Sequence, residues 1–81
     1  YDPKTNTIYE FLGDYWHGNP KRFDAISINK SNKKSFGELY IYTFLRFNEL
    51  KSLGYKIKYI WESDWDVWIK NKIGDIPIQK Y

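Results

Sequence analysis

Residues 35–62 read SFGELYIYTFLRFNELKSLGYKIKYIWE, and this stretch decides the fold class. Its first half has a helical period. Phe36, Tyr40, Thr43, Phe47 and Leu50 recur at three- and four-residue spacing, which places them on one stripe. Ser35 followed by Glu38 fits a capping box at the start. Lys51 in the last turn and Gly54 beyond it mark the end. The second half switches to period two. Tyr55, Ile57, Tyr59 and Trp61 alternate with Lys56, Lys58, Ile60 and Glu62, which predicts a strand.

Upstream, Thr5 to Leu12 also alternates. Thr7, Tyr9 and Phe11 share one face, and Ile8, Glu10 and Leu12 the other. Gly13 ends this strand, and Gly18-Asn19-Pro20 is turn chemistry. Phe23 to Ile28 predicts a short edge strand, and Asn29 to Lys34 an exposed basic loop. Downstream, Ser63 and Asp66 predict a second cap that opens a helix to about Lys72. Trp65, Trp68, Ile69 and Lys72 set its faces, and Gly74 stops it. Ile76 and Ile78 suit a short final strand, and Pro77 confines it to an edge. The predicted order is strand, loop, helix, strand, helix. The class is α/β, with the long helix as a crossover between two neighbouring parallel strands.

Composition narrows the function classes. Eighty-one residues form one small domain. No apolar run approaches the ~18 residues of a membrane span, and no signal peptide opens the chain. This predicts an intracellular protein without a membrane partner. Aromatic residues make up 21%, far too many for a disordered chain. Cys is absent, which removes disulfides, zinc-thiolate sites and thiol nucleophiles. Met is also absent and the chain opens Tyr1-Asp2-Pro3, which predicts a fragment or processed form of a larger domain. Residues 1–20 and 61–81 are net acidic, and residues 21–60 are strongly basic. An acidic stretch beside a basic one suits a metal site next to a polyanion, and equally a solvated lysine-rich surface.

Several residues are candidates for chemistry. Glu10 is a carboxylate on an apolar strand face, so it needs a cation, a donor or a proton. A basic side chain and a metal ion both satisfy it. Asp14 and His17 follow within one turn, and His17 is the single histidine. A hard cation takes carboxylate and carbonyl oxygens, and a neutral imidazole accepts a proton from water; a hydrogen-bonded structural histidine is the alternative. Tyr15 and Trp16 are adjacent aromatics, readable as a base-stacking wedge or as one core ring and one surface ring. Lys21, Arg22, Lys30, Lys33 and Lys34 are candidate phosphate contacts or a solvated loop. Arg46 reaches the carboxylates or a phosphate, or snorkels. Glu62 and Asp64 suit helix capping or the surface.

The segments YEFLGDYWHGNPK (9–21) and LGYKIKYIWESDW (53–65), in this order with a helix between, resemble the very short patch repair endonucleases. They resemble more closely the EDxHD-type homing endonuclease modules and similar segments attached to viral and organellar family B DNA polymerases. The resemblance covers roughly residues 1–66. It implies a PD-(D/E)xK (restriction-endonuclease-like) fold that cleaves DNA with Mg²⁺ or Mn²⁺. By position, His17 matches the general base, Glu10 the second acid, and Phe11 the residue whose main-chain carbonyl binds metal. Tyr15 and Trp16 match aromatics that pry open the base stack. The lysine that usually follows the second acid is Leu12. The leading metal-binding Asp is expected just upstream of Tyr1, with Asp2 out of register. The structural zinc ligands of the repair enzymes fall at Asp14, Asn19, Lys21 and Ser63, none of them Cys or His. No zinc is therefore expected, and packing alone is expected to hold that corner. Asp14 is either a lost zinc ligand or an active carboxylate. DNA is the implied partner, with a fused or associated targeting or polymerase domain.

Overall fold

The two alternating segments pair in parallel with no offset between their like faces. In the computed structural model, which describes all 81 residues, β1 (Thr7–Leu12) lies beside β2 (Lys56–Trp61). Ile8, Glu10 and Leu12 stand opposite Ile57, Tyr59 and Trp61. Between them runs α2 (Phe36–Ser52), the crossover helix. A single turn, α1 (Asp14–His17), follows β1; α3 (Glu62–Asn71) follows β2; and β3 (Gln79–Lys80) pairs antiparallel with the far edge of β2. The result is a three-stranded mixed sheet in the order β1-β2-β3 with three helices.

The ends of α2 are set by local chemistry. The Ser35 hydroxyl accepts from the Glu38 amide at 3.1 Å, closing the expected N-terminal cap. At the other end Gly54 has φ of 97°, the left-handed conformation that glycine adopts without strain. Its amide donates to the Lys51 carbonyl, and the Tyr55 amide to the Leu50 carbonyl. This paired motif satisfies the last carbonyls and turns the chain straight into β2.

The helix lays Phe47 on the sheet. Leu12, Phe47, Ile57 and Trp61 form the buried centre, ringed by Phe44, Leu50, Tyr59 and Tyr81. The buried stripe of α2 is Phe36, Leu39, Thr43 and Phe47, so Leu39 replaces the expected Tyr40, which lies at the margin. The opposite sheet face is uncovered. Tyr9 and Phe11 there are 51% and 54% exposed. The molecule is only 16 Å thick along its shortest axis, as two layers require. Its surface of 5898 Å² exceeds the roughly 5,200 Å² usual for this mass, consistent with that open face.

Three local expectations are corrected. Residues 23–28 form turns rather than an edge strand, with one bridge from Ile28 to Ser35. Here the Phe23 ring leaves any ladder and stacks on Phe36 at 4.2 Å. Ser63 does not cap α3; β2 runs directly into that helix through Trp61, and the Ser63 hydroxyl is bonded elsewhere. α3 then ends at Lys72 in the left-handed conformation, ahead of Gly74. The last strand begins after Pro77, at Gln79, where each residue has an amide to donate.

Candidate active site

β1 carries Glu10 on its helix-facing side, and α2 brings Arg46 to it. The guanidinium Nη1 lies 2.6 Å from the Glu10 carboxylate, the one salt bridge in the protein. The cation required by a carboxylate on an apolar face is thus Arg46. Both groups keep some exposure, 25% for the Glu10 side chain and 45% for Arg46. Tyr59 stands opposite Glu10 on β2, and burial raises its phenol above the usual range, so it stays protonated at neutral pH.

α1 packs on α2 through a close approach. Gly18, just after α1, has φ of 65°, and a Cβ there would sit 2.0 Å from the Phe36 carbonyl oxygen. This seats His17 half-buried against Thr43. His17 Nδ1 is 2.9 Å from the Thr43 hydroxyl oxygen. That hydroxyl donates its only proton to the Leu39 carbonyl, at 2.9 Å. Thr43 must therefore accept, so His17 carries its proton on Nδ1 and leaves the Nε2 lone pair free. Burial, then the Arg46 guanidinium, push the imidazole below its ordinary pKa, while Glu10 pulls it upward. At neutral pH His17 is an uncharged base. Thr43 was legible only as a core position; its hydrogen bond is a product of the helix docking.

A second cluster joins the two ends of the chain. Asp14 is buried, and its Oδ1 accepts from Asn19 Nδ2 at 2.8 Å and from the Ser63 hydroxyl at 3.2 Å. Asn19 also lies 3.4 Å from Ser63, and its own Oδ1 accepts from the Lys21 amide. The Asp14 amide donates to Glu62, so Glu62 caps α1, a capping role across the fold. All four positions that the resemblance assigns to zinc ligands thus converge. A hydrogen-bonded network, not packing alone, holds the corner. The Asp14 carboxylate belongs to this network rather than to the Glu10–Arg46 pair.

The basic loop is fastened beside α1. Asn29 is fully buried; it donates to the Tyr15 carbonyl and accepts from the Ser31 and Asn32 amides. Nothing in its sequence context marked it out beyond its place in a polar run. Lys21, Arg22, Lys30, Lys33 and Lys34 are exposed, and the Lys34 ammonium rests over the Tyr42 ring at 4.9 Å. Tyr15 is half-buried between Phe23 and Phe36, and Trp16 is 56% exposed. Of the adjacent aromatics Trp16 is the more exposed, its ring set edge-on to Tyr15 at 5.1 Å between centroids. The Phe11 side chain is on the open face, and its main chain follows Glu10 in β1.

No group of three or more His, Cys, Asp or Glu side chains is gathered anywhere. Mg²⁺ commonly takes one or two carboxylates and completes its shell with water and substrate phosphate. Glu10 with the Phe11 carbonyl meets the lower bound of that donor set. Asp2 adds nothing to it: its carboxylate caps the local turn through the Lys4 amide and the Thr5 hydroxyl.

Comparison with family models, with curated proteins and with solved structures yields no match to this chain. No helix is long and apolar enough to cross a membrane.

Proposed function

We propose that this chain is the catalytic core of a metal-dependent DNA endonuclease with a PD-(D/E)xK-like fold, hydrolysing phosphodiester bonds. One observation carries the reading. The blocks GDYWHGNP and LGYKIKYIWESDW, whose pairing defines the resemblance, meet through Asp14, Asn19, Glu62 and Ser63 across more than 40 residues of sequence. A chance likeness of two separate motifs does not require them to touch at corresponding positions.

The chemistry is compatible with it. His17 Nε2 takes a proton from the attacking water, and Thr43 holds the ring in the tautomer that allows it. Glu10 and the Phe11 carbonyl would hold Mg²⁺ or Mn²⁺, and such an ion would supply charge to offset that developing on the scissile phosphate. Arg46, released from Glu10, is placed to pair with a phosphate oxygen. The basic loop positions the backbone, and Trp16 meets the base stack. Target choice, in this proposal, comes from a fused or associated DNA-targeting or polymerase domain inside the cell.

A second reading has one observation in its favour. Arg46 occupies the carboxylate that a metal needs, which suits a nucleic-acid-binding or scaffolding remnant of the same fold. Nicking of supercoiled plasmid with Mg²⁺ or Mn²⁺ separates the two. The endonuclease reading expects metal-dependent nicking by the wild type and a loss of ~100-fold or more in His17→Ala. Plasmid retardation without nicking would leave only the binding module.

A further inference from the structure

We propose that the groove at the N-terminal ends of β1 and β2 is a phosphate-binding site for a nucleotide or single-stranded nucleic acid, with Lys56, Lys58 and Lys80 as the phosphate donors and Tyr9 as a platform for the base. This site is separate from the Glu10–His17 region and does not depend on the endonuclease reading.

The groove measures about 430 Å³, within the usual range for small-ligand sites. It is lined by 10 residues, among them Tyr9, Lys51, Lys56, Lys58 and Lys80, with no Asp or Glu. Lys51 already donates to the Tyr81 carbonyl. The other three lysines have no carboxylate partner, since the protein's single salt bridge lies elsewhere. Their placement is costly. Lys58 and Lys80 are cross-strand partners, so two ammonium groups project from directly opposed positions on one face. Lys56, two residues before Lys58, projects from the same face. A fold gains nothing from like charges set opposite one another; a bound anion makes the arrangement favourable.

Tyr9 selects the kind of anion. It is the register partner of Lys58, is 51% exposed, and has the Lys58 ammonium 5.9 Å from its ring centroid. An accessible ring beside a row of ammonium groups is the pairing that single-stranded nucleic acids and nucleotides engage, by base stacking and phosphate contact together. Inorganic sulfate or phosphate would use the lysines and ignore the ring.

The test uses fluorescence anisotropy with a labelled twelve-residue oligothymidylate, and competition by thymidine monophosphate and by inorganic phosphate. Lys58→Gln/Lys80→Gln is expected to lower the salt slope by about 1.4, which is a loss of roughly 25-fold at 0.1 M salt relative to 1 M. Tyr9→Leu should weaken oligonucleotide binding roughly fivefold or more, and Tyr9→Phe should keep it. Competition by the mononucleotide near the affinity of the oligonucleotide identifies a nucleotide site; competition only by the oligonucleotide identifies a strand site. Equal affinity and equal salt slope in wild type and the double lysine variant overturn the proposal, as does inorganic phosphate competing as well as the nucleotide. A thermal melt guards against misfolding, because removing opposed charges is expected to leave Tm at low salt unchanged or higher.

Discussion

The Nδ1 atom of His17 and the hydroxyl of Thr43 are 2.9 Å apart, and Thr43 is the acceptor because its proton goes to Leu39. One side chain on α2 thereby decides which imidazole nitrogen is basic. Replacement by valine keeps the volume and removes the acceptor. Thr43→Val is expected to shift His17 toward the Nε2-protonated tautomer, read from its ¹⁵N chemical shifts, and, on the proposed endonuclease function, to lower plasmid nicking by roughly tenfold. Thr43→Ser should restore both. An unchanged tautomer in the valine variant would remove Thr43 from this role.

The depressed His17 pKa has a consequence for stability. The folded state disfavours the imidazolium, so the unfolded chain binds more protons between the two pKa values. Stability is therefore full above the unfolded value near 6.5, and falls as pH drops through it until the folded-state pKa is passed. His17→Gln should flatten this limb in urea unfolding measured from pH 7.5 downward, leaving only the carboxylate losses at lower pH. Because the chain has one histidine, a single Hε1 resonance reports the titration directly. A midpoint at or above 6.5 would contradict the burial argument.

The Asp14–Asn19–Ser63 network stands at the positions that correspond to the structural zinc ligands of the repair enzymes. Asn19→Ala withdraws a donor from a buried carboxylate, at a cost of about 1–3 kcal/mol. In a domain this small that corresponds to a fall in Tm of roughly 5–15 °C. Ser63→Ala should cost less, since Asn19 still serves the same oxygen. Zinc and chelators should leave the melting of the wild type unchanged, which a calorimetric scan with each will show.

Gly18 is the tightest steric constraint at the site. Alanine there meets both a left-handed backbone and a carbonyl oxygen 2.0 Å from its Cβ. The expected loss is about 3 kcal/mol. Denaturant unfolding measures it, and chemical shifts of His17 should move with it, because the same contact seats α1 on α2.

The strands and α2 were legible because their signals are local. The period change after Gly54, the Ser35 cap and the glycine terminator each act within a few residues, and each appears in the structure as expected. Phe23–Ile28 misled because an apolar run does not say whether its rings go to a ladder or to a neighbouring ring; Phe36 captured Phe23. The Ser63 cap misled because its hydroxyl had a better use against Asp14. Glu10 was marked as a carboxylate needing a cation, yet the choice of Arg46 required the helix to be in place.

The sequence by itself determined the α/β class, the parallel pair with its crossover helix, and the short list of residues able to do chemistry. Periodicity and caps are short-range properties written into consecutive side chains. Only the tertiary structure decided that His17 is basic at Nε2, that Asp14 is bound into a corner with Asn19 and Ser63, and that four lysines line one groove. Each of these depends on groups 20 or more residues apart meeting at hydrogen-bond or cross-strand distance. Such meetings are set by packing the helix and strands together, which no local pattern encodes.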